Sequence, residues 1–230
     1  MRIPQVLNRN GHPTEEDKVW LDLAQNGFHY HNDPISGIRI DRLVQTQTPL
    51  TSINGLRFFN SQLLHNHELR PILLTLFERF GLLLYRSHAA DDADYCYKTS
   101  ARHAEQDGVI VHLISSNAKV SFWNASHRLP LTYERSDKNL WHVPRSVLEA
   151  EGLTRTDLTF KQGGFIITDP RTCFNIQEGF VITIALGERP LLERFGRVDV
   201  VWNPEVERMI QSMESNRFTM NVRYVTEIRE

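Results

Sequence analysis

Apolar residues along this chain fall into two regimes: helical spacing dominates the first third, and short apolar runs broken by turn signals dominate the rest. Residues Glu15 to Gln25 have helical composition, with Val19, Trp20, Leu21 and Leu23 apolar and Asn26-Gly27 as a stop. From Glu68 to Phe80 the residues Leu69, Ile72, Leu73, Leu76, Phe77 and Phe80 recur at helical spacing, Pro71 suits a first turn and Gly81 ends the run. That helix is expected to cover one face of a sheet. Leu82 to Tyr85 reads as a buried strand directly after it, Asp91 to Asp94 as a solvated loop, and Val109 to Ile114 as an apolar strand. Short strands follow at Lys119 to Trp123, Thr156 to Lys161, Phe165 to Thr168 and Phe180 to Leu186, with Gly163-Gly164 and Glu178-Gly179 as turns between them. A short helix from Pro144 to Ala150 stops before Gly152. The tail carries a helix from Pro204 to Met213, with Val206, Met209, Ile210 and Met213 on one stripe, and then a strand-like Phe218 to Val225.

This order predicts a mainly β protein with flanking helices (α+β), built as a sandwich or jelly roll. Internal repeats, low-complexity stretches and Gly/Ser linkers are all lacking, so residues 1–230 read as a single domain. It has a helical N-terminal part over 1–80 and a helix and strand extension over 190–230.

Composition narrows the partners. A 40% hydrophobic content over 230 residues suffices for one generous core, and a formal charge of -2 gives no basic excess to attract nucleic acid or anionic lipid. Neither partner is expected, which leaves small molecules, and the apolar tail helix makes a homodimer reasonable. The start lacks an apolar signal core, and no apolar run approaches the roughly 20 residues of a membrane span. With only Cys96 and Cys173 there is no disulfide framework, which agrees with a reducing, cytoplasmic setting.

The candidate chemistry centres on His103-Ala104-Glu105, just ahead of the apolar run Val109 to Ile114. An imidazole and a carboxylate two residues apart on an extended strand point to the same side and offer two ligands to one metal ion. An iron site of the two-histidine, one-carboxylate kind needs a second imidazole from elsewhere in the chain. No histidine follows His142, so His127 and His142 are the later candidates. Asp107 is a second carboxylate, although its place beside Gly108 also suits a turn. Arg171 and Lys161 are the cations best placed for an acidic ligand; Arg171 can equally pair with Asp169. Trp123, Tyr97 and Phe174 are aromatic candidates for a pocket wall, or plain core. His112, inside an apolar run, reads as a buried and satisfied histidine.

From His103 to Leu186 the order His-x-Glu, apolar strand, Phe122-Trp123-Asn124-Ala125-Ser126-His127-Arg128 and Gly163-Gly164-Phe165-Ile166-Ile167-Thr168-Asp169-Pro170-Arg171 resembles the phytanoyl-CoA dioxygenase branch of iron(II)/2-oxoglutarate oxygenases. The resemblance implies a double-stranded β-helix (jelly roll, cupin-like), with Fe(II) and 2-oxoglutarate as cofactors. It also implies His103 and Glu105 as metal ligands. It places Phe174 where the family's distal histidine stands and leaves no arginine at the start of Phe180 to Leu186 to bind the oxoacid. The pattern is also similar to fungal proteins of biosynthetic context, which points to natural-product chemistry.

Three functions follow as alternatives. The first is an iron(II)/2-oxoglutarate oxygenase acting on a small organic substrate. The second is a metal-independent cyclase or isomerase in which His103, Glu105 or Asp107 moves protons. The third is a non-catalytic binding protein.

Overall fold

A computed structural model describes residues 15–99 and 108–227. The chain opens with α1 (Glu15–Gln25), a short strand β1 (Phe28–Asn32) and α2 (Pro34–Gln45). Asp33 caps α2 by accepting from the Ile35 and Ser36 amides, with Pro34 at the first turn. Next come α3 (Ile53–Phe59), a wide helical turn at Asn60–Leu64, and α4 (Leu69–Leu76). The strands β2 (Phe80–Cys96), β3 (Gly108–Ile114), β4 (Ala118–Trp123), β5 (Glu134–Arg135) and β6 (Trp141–His142) follow, and then α5 (Arg145–Ala150). Three further strands are β7 (Arg155–Phe160), β8 (Gly164–Thr168) and β9 (Phe174–Gly187). The tail contains α6 (Arg189–Arg194), β10 (Val198–Val201), α7 (Pro204–Met213), β11 (Phe218–Thr219) and β12 (Val222–Val225).

Two long strands organise the sheet. Residues 180–187 of β9 lie between β3 and the first half of β2, and β8 and β1 extend that layer. Gly179, at φ +88°, lets β9 swing, so that residues 174–178 pair instead with β4, whose other edge takes β7. The second half of β2 follows β9 into this other layer and carries β6 and β5. The chain thus rolls two antiparallel layers over one interior, the double-stranded β-helix that the family resemblance implies.

Alternation sorts the side chains. Val109, Val111 and Leu113 of β3, Phe165 and Ile167 of β8, and Ile182, Ile184 and Leu186 of β9 meet α1 to α4 and α7 in one core. Ile114, Ile166, Val181, Phe122 and Phe174 fill the space between the layers. The apolar stripe of α7 is used inside this chain, since Val206, Ile210 and Met213 are buried in the helical core. Among the described residues no helix is long and apolar enough to cross a membrane.

The structure corrects several boundaries. The fourth helix stops at Leu76 because Phe77 is extended (φ -133°, ψ 136°); Phe77 and Phe80 keep apolar spacing but pack against each other across a turn, centroids 5.5 Å apart and planes tilted by 32°. Asp91 to Asp94 is no solvated loop. It lies within β2, where Asp92 faces water and Asp94 is buried. Glu178-Gly179 marks a bend inside one strand, not a turn between two. Phe218 to Val225 divides into two short strands, β11 on β2 and β12 on β10.

Candidate functional site

Where β3 begins and β9 ends, a cavity of about 430 Å³ opens beside the roll. Its apolar wall includes Leu84, Ile110, Ala185 and Leu186, and the β5–β6 hairpin closes another side with Leu140 and Trp141. Arg86, Lys98 and Arg135 also line it, and no carboxylate does among the described residues. An apolar concavity with a few convergent polar groups is the usual form of a small-molecule site. This one is biased towards anions.

Arg86 is placed by strand period. It lies two residues beyond Leu84 on β2, directly across from Thr183 of β9, so its stem points between the layers. Its guanidinium donates to the Lys138 carbonyl at 3.3 Å, and none of the ion pairs among the described residues uses it. Arg135 lies over the Trp141 ring, 5.2 Å from its centroid, and donates to Asn139 at 3.2 Å.

Behind the cavity wall runs a polar chain. The Tyr97 hydroxyl meets His88 Nε2 at 3.1 Å and donates to Thr183 Oγ1 at 3.1 Å, and Thr183 Oγ1 meets His112 Nδ1 at 3.1 Å. His112 and Thr183 are cross-strand partners, which is why an otherwise apolar β3 can hold an imidazole. Its Nε2 has no hydrogen-bond partner among the described residues, and the ring sits among those of Tyr97, Phe122 and Phe174. Burial, reinforced by the nearby His88, pushes the His112 pKa down to about 3. Burial, with Arg86 and Lys138 alongside, takes His88 down to about 4. Both rings are therefore neutral at physiological pH, while burial raises the Tyr97 phenol and keeps it protonated.

The other sequence candidates are dispersed. His103, Glu105 and Asp107 lie outside the described residues; Thr99 and Gly108, the described residues on either side, both line the cavity. Tyr97 is in the cavity wall. Phe174 is buried in the interior, stacked on Tyr97 with centroids 5.4 Å apart and planes 6° apart. Trp123 belongs to another core cluster and donates its Nε1 to Asp94 Oδ1 at 2.9 Å. Arg171 is committed to Asp169, with Nε to Oδ1 at 2.8 Å and Nη2 to Oδ2 at 2.6 Å, the pairing its sequence position allowed. Lys161 is exposed in the loop after β7 and does not line the cavity.

His127 packs on Gly27 near Asp169 and Arg171, and burial is the main reason its pKa is lowered. His142 sits beside Tyr95 with the Glu134 carboxylate 3.6 Å away. Neither lines the cavity. Among the described residues no three His, Cys, Asp or Glu side chains are grouped to hold a metal ion. The residues that sequence reasoning passed over are Arg86, His88 and Thr183. The signal for the first two was the continuation of period two from Leu84 through Arg86 to His88.

No protein-family model matches the chain, and no curated protein does. Solved structures do. The chain is similar to the epimerase SnoN in complex with Fe3+, alpha ketoglutarate and nogalamycin RO, at 11% identity and TM-score 0.51, over 75% of this chain and 83% of that one. It is also similar to AviO1 from Streptomyces viridochromogenes Tue57, at 12% identity and TM-score 0.52, over 76% and 96% of the two chains. HygX from Streptomyces hygroscopicus with iron bound gives 12% identity and TM-score 0.51 over 80% and 88%. At such identities the likeness is one of fold.

Proposed function

We propose that this chain is an enzyme of the iron(II)/2-oxoglutarate-dependent type acting on a small organic substrate in natural-product biosynthesis. The fold it shares with SnoN and HygX supports the reading, since those proteins hold Fe3+ with alpha ketoglutarate and iron respectively. The observation that carries it is the cavity where β3 begins and β9 ends, with the guanidinium groups of Arg86 and Arg135 and no described acid in its wall. A small dicarboxylate fits that chemistry.

The two cofactors fit differently. For 2-oxoglutarate the match is direct: Arg86 is half-buried in the cavity wall and presents a planar fork for a carboxylate. Arg86 thus takes the role that the sequence suggested for Arg171 or Lys161. For iron the described residues do not build a complete site, because Phe174 and its stack occupy the interior and no ligand group of three forms. His103 and Glu105 stay the proposed ligands.

The chain's own groups have defined roles in this reading. Arg86 binds and orients the acid, Tyr97 shapes the wall, and Thr183 fixes the Tyr97 hydroxyl. Anaerobic calorimetric titration with 2-oxoglutarate, with and without iron(II), tests it. Saturable binding that weakens about tenfold or more in Arg86→Gln is expected, because the charged fork that pairs with the carboxylate is lost. Absence of 2-oxoglutarate binding under both conditions overturns the reading.

The polar chain favours a second reading, a metal-independent cyclase or isomerase. Tyr97, hydrogen-bonded to neutral His88 and to Thr183, can hold or pass a proton at its phenolic oxygen without any metal. Protein that ignores iron(II) yet turns over a candidate intermediate, and loses that turnover in Tyr97→Phe, would select it.

A further inference from the structure

The cavity has a second side that the cations do not explain. The short helix α6 buries none of its residues fully, yet it is keyed onto the roll. Gly187 of β9 pairs with Gly81 of β2 and with Gly108 of β3, so three glycines form a row across neighbouring strands. A Cβ at Gly187 would fall 2.7 Å from Leu191 Cδ2, and one at Gly81 would fall 2.7 Å from Leu192 Cδ1. The glycine row is the floor into which α6 presses its two leucines. Leu191 then faces the cavity, and Phe195, at the end of α6, stands at its mouth with 55% of its surface exposed. Of the large apolar side chains exposed among the described residues, Phe195 is the one that lines this cavity, so its ring extends the apolar wall to the opening.

We infer that α6 and Phe195 form an apolar subsite for the substrate, separate from the Arg86 anion position, and that the substrate is a neutral, predominantly apolar ring or chain compound. It would lie between Leu191 and Phe195 on one side and Leu84 and Ile110 on the other. The cationic hairpin side is left to the acid. At about 430 Å³ the cavity is larger than a five-carbon diacid needs, so both can be seated together. The inference rests on the proposed reading only in taking this cavity as the active site.

The test uses the full chain and N-phenyl-1-naphthylamine, an uncharged apolar dye that brightens when buried, alongside 2-oxoglutarate. Saturable brightening is expected, with affinity about fivefold lower or worse in Phe195→Ala and in Leu191→Ser. The same variants should bind 2-oxoglutarate as the unaltered chain does, and Arg86→Gln should keep its dye affinity. Because Phe195 is exposed, its variant leaves the core intact and remains informative if Leu191→Ser fails to fold. Dye binding that persists under saturating 2-oxoglutarate supports two seats. Competition between the two, or unchanged dye affinity in Phe195→Ala, overturns the inference. A chain that binds the dye through Phe195 but never binds 2-oxoglutarate would keep the apolar subsite and sink the cofactor assignment.

Discussion

Asp94 shows how much a single position can depend on its surroundings. In the sequence it closes an acidic run that looks solvated; in the fold its carboxylate is buried, accepts from Trp123 Nε1 at 2.9 Å and from Arg145 Nε at 3.0 Å, and ties β2 to β4 and α5. Replacing it removes the acceptor of a buried indole N–H, whereas Arg145, with 39% of its side chain exposed, can turn to water. Asp94→Ala should therefore cost about 2–3 kcal/mol in urea unfolding, less than loss of a fully buried pair. Asp92→Ala, two residues away with its side chain 98% exposed, should change stability by about 0.5 kcal/mol at most. Arg86 was hidden in part: strand period from Leu84 places it on the inner face of β2, but nothing local says which cavity that face lines. Arg171 was visible because it lies two residues from its partner Asp169, and that local pairing is what the structure shows.

At the scale of elements, the signals that survived folding are the local ones. The span Glu15 to Gln25, the stop at Gly152 and the tail helix match because caps, breakers and apolar period act within a few residues. Gly163 belongs with them. Its φ of +87° is the turn that Gly163-Gly164 announced, and it also meets Gly37 of α2, so that a Cβ at Gly163 would lie 2.3 Å from the Gly37 Cα. Gly163→Ala should cost about 2–3 kcal/mol, combining left-handed strain with a backbone clash. Gly152, at φ +70° with open space around it, pays the strain alone, so Gly152→Ala should cost about 1 kcal/mol in the same unfolding assay. What the pattern could not supply was the length of β2 and β9. Both strands serve two layers, and their surroundings change from one half to the other, so a short apolar run marks only the half buried on both sides.

The whole molecule carries a pH signature. His112 is held neutral by burial, with its pKa near 3 against an ordinary value of 6.5. The unfolded chain takes up that proton first, so its stabilising effect is complete above about pH 6.5 and is lost as pH falls towards 3. His88, less deeply placed and lowered to about 4, adds a similar slope over only the upper part of that window, and so a smaller total. Urea unfolding should show stability falling between about pH 6 and pH 4, and His112→Leu should flatten that fall by about 1 kcal/mol per pH unit. An unchanged slope in His112→Leu would place the titration elsewhere. By itself the sequence determined the class of fold, the order of helices before strands, most turns and the use of an apolar interior. Each of these follows from period, composition and breakers that act over short stretches of chain. Only the tertiary structure decided the site: that Arg86 faces the cavity, that Thr183 meets His112 and Tyr97, that Phe174 stacks on Tyr97 in the interior, and that His127 and His142 stand away from the cavity. Those relations join residues far apart in the chain, and strand register, which fixes them, is set by pairings that no local pattern records.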